Sequence, residues 1–124
     1  LPHHDACVLV VPLTDQTRGL VDARFLAAMP AGAVLVNAAR GPVVDSAALL
    51  AELASGRLRA ALDVTDPEPL PTGDPLWKAP GLLLTPHVGG SVPMALSRAY
   101  AVAAEQIAFF VRGESPPNLV RHGY

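Results

Sequence analysis

Four short apolar runs, each closed by polar or turn-forming residues, constrain this chain more than any other feature. They occupy residues 8–11, 33–36, 58–62 and 82–84. Behind them stand Pro12-Leu13-Thr14, Asn37-Ala38-Ala39-Arg40-Gly41, the segment from Asp63 to Glu68, and Thr85-Pro86-His87. An apolar run this short, bounded by turn residues, predicts a strand buried on both faces. Such strands belong to parallel sheets with helices on each side. Open sheets of this kind bind ligands beyond the carboxyl ends of their strands. An Arg, a Glu and a His therefore fall at the edge where chemistry is expected.

The intervening segments read as helices. Asp22 is placed to cap one that holds Phe25, Leu26 and Met29 and ends before Pro30. Asp45 is placed to cap a second, with Leu49, Leu50 and Leu53 on one face and a stop at Gly56. Ser91 is the expected cap of the last and longest helix, with Pro93 in its first turn. There Leu96, Tyr100, Ala103, Ile107 and Phe110 recur at helical steps as one apolar stripe, and Gly113 ends it. Residues 66–80 are too rich in proline for a helix and read as an ordered loop anchored by Leu76 and Trp77. The expected order is strand, helix, strand, helix, strand, loop, strand, long helix.

Composition narrows the function classes. The 124 residues, 51% of them apolar, suffice for one domain with a buried core. A net charge of −2 offers no basic surface to nucleic acid or anionic membrane. No apolar stretch reaches the roughly 18 residues of a membrane span, and none reads as a signal peptide. Cys7 is the single cysteine, so no internal disulfide forms, which suits a cytoplasmic protein. Cys7 itself reads as a strand-interior residue. His3, His4 and His122 sit near the termini without partners, and no ligand spacing supports a metal site.

The site residues can be argued from chemistry. Arg40 follows a strand and precedes Gly41, which permits a tight turn. Its planar fork of donors matches a carboxylate. On position alone it would be a surface arginine in the loop leading to a helix. His87 lies between a strand and Gly89-Gly90, and imidazole both gives and takes a proton near neutral pH. Glu68 is its natural partner. A carboxylate bonded to imidazole fixes the ring and favours its protonated form. Without that partnership His87 is a loop histidine and Glu68 a solvated acid. Asp63 ends the third strand, where a charge needs a partner or a purpose. A strand-end Asp capping backbone amides is the plainer account. Ala38 and Ala39 are small where a backbone must approach a ligand, and Gly90 allows the same beside His87. Asn37 reads as a turn residue bonding its own backbone.

A resemblance adds to this. The blocks Val11-Pro12-Leu13-Thr14, Val36-Asn37-Ala38-Ala39-Arg40-Gly41, Val44-Asp45, Leu62-Asp63-Val64, Glu68-Pro69-Leu70, Pro75-Leu76-Trp77 and Thr85-Pro86-His87-Val88-Gly89-Gly90 follow in that order. The series resembles the D-isomer-specific 2-hydroxyacid dehydrogenases from about residue 2 to residue 118. The resemblance implies an α/β fold: the second half of a Rossmann-type doubly wound parallel sheet in residues 1–90. Residues 91–124 would be a helix and tail that belong to the substrate domain in the complete family. It implies hydride exchange between NAD, or NADP, and a small 2-hydroxy or 2-oxo acid. Arg40, Glu68 and His87 are the implied catalytic residues. Pro12, Thr14, Ala38, Ala39, Arg40, Asp63, His87 and Gly90 would border the cofactor, with Asp63 near the nicotinamide and its ribose.

The family's G-x-G-x-x-G turn, which seats the pyrophosphate, is not found in this sequence. The expectation is a fragment, a truncated product or one part of a split protein. An unpaired first strand would then seek a second copy or a complementing N-terminal half. A non-catalytic binding module that kept the fold is the competing expectation.

Overall fold

The computed structural model describes residues 1–117 and 119, so His122 and Asn118 lie outside the described residues. Contacts divide the chain into two units, Leu1–Gly89 and Gly90–Tyr124.

The first unit is an α/β layer. Strands β1 (Ala6–Leu9), β2 (Val34–Asn37), β3 (Arg59–Leu62) and β4 (Leu82–Leu84) form one parallel sheet in the order β1-β2-β3-β4. Helices α1 (Ala23–Ala27) and α2 (Ser46–Ala54) connect the first three strands. Crossovers of one hand between successive neighbours put both helices on the same face, where they pack on each other. That face carries Leu9, Leu35, Ala60 and Leu62, all buried against Leu26, Leu49 and Leu53. Cys7 packs on the same core, as expected. The opposite face carries Val8 and Leu83, which are 58% and 62% exposed. The apolar runs led to an expectation of burial on both faces, yet these two residues are open.

Both expected aspartate caps are present. Asp22 Oδ1 accepts from the Phe25 amide at 2.7 Å, and Asp45 Oδ1 accepts from the Ala47 and Ala48 amides at 3.0 Å. Gly56, at φ +72, lies just past the end of α2. Met29 lies beyond α1 rather than in it but is buried. There the Arg57 guanidinium donates to the Leu26 carbonyl in the last turn of α1 and to the Met29 carbonyl just beyond it, both at 2.7 Å.

Three expectations need correction. β1 starts and ends two residues before the run at 8–11. The continuous Val-Leu-Val-Val carries no register of its own, and the ladder stops where Leu9 meets Asn37. Leu76 anchors the 66–80 segment from a 3₁₀ turn, Pro75–Lys78, but Trp77 is 55% exposed. The last helix, α3 (Ala95–Val111), has Met94 and not Ser91 at its N-cap. Had Ser91 been the cap, Val92 would have to be helical, and the residue before a proline is disfavoured there.

The second unit consists chiefly of α3, which ends before Gly113 at φ +70. No residue of α3 is buried, and Leu96, Tyr100, Ile107 and Phe110 of the apolar stripe are exposed.

Candidate active site

Every strand of a parallel sheet ends on the same edge, and that edge gathers the polar residues. The β2 end is organised by Asn37, 1% exposed and the one buried polar residue among those described. Its Oδ1 accepts from the Ala39 amide and its Nδ2 donates to the Arg40 carbonyl, both at 3.0 Å. This is the self-bonded turn expected of it, and it shapes the backbone that carries Arg40. Gly41 then lets that turn close on the segment after β3. A Cβ on Gly41 would lie 1.9 Å from the Thr65 carbonyl oxygen. The glycine is required for room; its φ is not positive.

The β3 and β4 ends meet across a second set of contacts. Glu68 Oε1 lies 2.6 Å from His87 Nδ1, with both side chains partly open to solvent. That bond occupies Nδ1 and leaves Nε2 for another partner. His87 is the one non-glycine residue with positive φ among those described, at +53°. Asp63 lies beneath this turn. Its carboxylate accepts from Thr85 Oγ1 at 2.6 Å, the Val88 amide at 2.9 Å and the Gly89 amide at 2.8 Å. The Thr85 hydroxyl, then the Gly89 and Val88 amides, hold the Asp63 carboxyl below the usual carboxylate range.

Beside the pair opens a cleft of about 560 Å³. Pro69, Leu70, Trp77, Leu84 and Pro86 supply its apolar wall, and Asp63, Glu68, Thr85 and His87 its polar rim. Such a cavity, mostly apolar with a few convergent polar groups, is a ligand site in form.

The remaining candidates are spread along the same edge. Arg40 does not line the cleft, and its Nη1 folds back onto the Ala39 carbonyl at 2.7 Å. Pro12 and Thr14 sit in a loop tied by Thr17, whose hydroxyl donates to the Pro12 carbonyl at 2.7 Å. Ala38 is exposed, whereas Ala39 is buried in the core. A Cβ on Gly90 would meet nothing within 4 Å, while one on Gly89 would lie 2.9 Å from Asp63 Oδ2. Within the chain, the close approach is at Gly89, against the Asp63 carboxylate. Thr85, Gly89 and Thr65 were not anticipated. Thr85 comes into view only with the strand register: Leu62↔Leu84 places Asp63 opposite it in the next row.

Comparison with known proteins fits this geometry. A family model for the D-isomer specific 2-hydroxyacid dehydrogenase NAD binding domain matches residues 1–89. The chain belongs to this dehydrogenase family. It is 41% identical over 121 residues to a glyoxylate reductase of Korarchaeum cryptofilum, covering 97% of this chain and 36% of that protein. It is 38% identical over 117 residues to glyoxylate/hydroxypyruvate reductase B of Citrobacter koseri, covering 94% and 36%. Among solved structures it matches a D-isomer specific 2-hydroxyacid dehydrogenase from Xanthobacter autotrophicus Py2 in complex with NADPH. That match has a TM-score of 0.85 and 44% identity, covering 94% of this chain and 48% of that one. The D-mandelate dehydrogenase of Rhodotorula graminis matches with a TM-score of 0.86 and 32% identity, covering 99% and 36%. The chain thus spans about a third of the length of the curated relatives it matches.

The edge offers room and a hydrogen-bond acceptor to a dinucleotide of the kind the family binds. Pro12 and Ala38 leave small, exposed ledges at the ends of neighbouring strands. Asp63 Oδ2 accepts one hydrogen bond and has a second acceptor position. The sequence lacks the G-x-G-x-x-G turn that seats a pyrophosphate.

Proposed function

We propose that this chain supplies the catalytic half of the nucleotide-binding domain of a D-2-hydroxyacid dehydrogenase that interconverts a small 2-hydroxy acid and its 2-oxo acid. The Glu68–His87 pair beside a cleft at the carboxyl edge carries this reading. Residues 1–90 form that half-domain in the proposal, and residues 91–124 belong with the substrate domain. Glyoxylate and hydroxypyruvate are the first substrates to try, because relatives are named for them.

Each residue has a role. Arg40 turns from the Ala39 carbonyl to grip the substrate carboxylate with its fork of donors. His87 delivers a proton from Nε2 to the substrate oxygen on reduction and removes it on oxidation. Glu68 fixes the tautomer through Nδ1 and compensates the charge on the protonated ring. Pro12, Thr14, Ala38, Ala39, Asp63 and Gly90 border the nicotinamide, NAD or NADP, which supplies or takes the hydride when bound. A segment bearing the Gly-rich turn completes the phosphate site, and this chain works in the cytoplasm with it or as a homo-oligomer.

The test is complementation. Mixing this chain with the remaining two-thirds of such a dehydrogenase should give oxo-acid-dependent NADH oxidation, followed by absorbance. His87→Ala should lower turnover at least about a hundredfold while cofactor affinity changes little. Equal loss of NADH affinity, by fluorescence titration, would refute the proton-transfer role. A second reading, a binding module without chemistry, draws on Arg40 lying outside the cleft. NADH binding by the complemented pair without turnover on any 2-oxo acid would favour it.

A further inference from the structure

His87 holds a backbone angle that residues other than glycine adopt only at a cost, so something must hold it there. One residue makes four hydrogen bonds around it. The Asp63 carbonyl accepts the His87 amide at 2.8 Å, and the Asp63 carboxylate accepts from Thr85 before the histidine and from Val88 and Gly89 after it. Oδ1 has both acceptor positions filled and Oδ2 one. Gly89 is needed in this arrangement, since any side chain there would crowd Oδ2.

Building on the reading of His87 as the proton carrier, we infer that Asp63 is the positioning residue for that histidine. Its carboxylate clasps the turn 85–89 so that the imidazole stays aligned with Glu68. Bordering the cofactor is at most a second duty, left to the one open acceptor position on Oδ2. An amide in place of the carboxylate fails as a clasp. Its NH₂ would oppose one of the N–H donors that a carboxylate oxygen accepts.

NMR of the 124-residue chain reads this without turnover. In the parent, the His87 amide–Hα coupling should report the left-handed angle, and, at a pH where the ring is neutral, its nitrogen shifts should report a single Nδ1–H tautomer. In Asp63→Asn, exchange of the Val88 and Gly89 amides should speed up about tenfold or more, as expected for loss of a bond to a charged acceptor. The His87 coupling should average, and its ring shifts should move toward a mixture of tautomers. The Leu35 and Leu62 amides, inside the sheet, should stay protected. Parent-like His87 signals in Asp63→Asn would overturn the inference. If the sheet amides also lose protection, Thr85→Val decides: it removes one donor at an exposed position and leaves the carboxylate. Ring shifts displaced in the same direction support the clasp, and unchanged shifts overturn it. A complemented domain without activity would sink the dehydrogenase reading yet leave these signals where they are.

Discussion

Two strand ends in this molecule solve the same problem with different chemistry. Asn37 ends β2 and shapes the turn that bears Arg40; Asp63 follows β3 and shapes the turn that bears His87. The first is neutral and buried, and it bonds only its next few neighbours. The second is charged and half-buried at the rim, and it reaches residues more than twenty positions away. Burial explains the choice. A neutral amide that is both donor and acceptor can satisfy itself in the core, whereas an ionised carboxylate there would be costly. At the open rim a carboxylate can gather three donors at once. One turn is therefore insensitive to pH and formed locally, and the other depends on charge and on the finished sheet.

Exchanging the two chemistries should break the scheme most severely at the buried site. Asn37→Asp places an acceptor-only charge against the Arg40 carbonyl and should cost about 3–5 kcal/mol of stability. Urea unfolding would measure it. The loss should shrink in acid, because a buried carboxyl protonates more readily and its O–H can then donate. A loss under about 1 kcal/mol at neutral pH would mean that the neutral pin is dispensable. Gly41→Ala comes next. It forces a methyl into the Thr65 carbonyl and should cost about 3 kcal/mol, whereas Gly90→Ala should change stability by no more than about 0.5 kcal/mol. Equal thermal midpoints for the two variants would refute the packing argument.

The charged turn should be told apart by acid. Its carboxyl titrates below the ordinary carboxylate range in the folded protein, so its stabilisation is complete above that range. It fades as pH falls through the depressed value. Amide exchange at Val88 and Gly89 should accelerate over that interval once intrinsic rates are removed, while Ala39 stays flat. Asp63→Asn should erase the dependence, and a parallel response at Ala39 would dissolve the contrast. The smallest effect belongs to Thr85→Val, within about 0.5 kcal/mol in global stability despite its local consequence at His87.

How far these features were legible depended on range. Asp22 and Asp45 could be read as caps because each bonds amides two or three residues on. The Asn37 turn was legible for the same reason. The parallel sheet followed from the apolar runs, but their uniformity hid the start of β1 and gave no warning that Val8 and Leu83 would be open. The Asp63 clasp joins residues 22 to 26 positions apart. Only the strand register brings them together, so sequence reasoning offered amide capping by a strand-end acid without showing which amides it would reach. The Glu68–His87 partnership rested on chemistry and family resemblance, and the 2.6 Å contact agrees with it.

The indole at the lip of the cleft gives the protein an optical handle. Trp77 is the sole tryptophan of the chain, and its Nε1 is held to the Pro71 carbonyl at 2.9 Å. Its emission therefore has one source, fixed in orientation and facing solvent across the space where a small acid or a reduced nicotinamide would arrive. Occupancy can be followed by quenching or by energy transfer to the reduced nicotinamide, with no label attached.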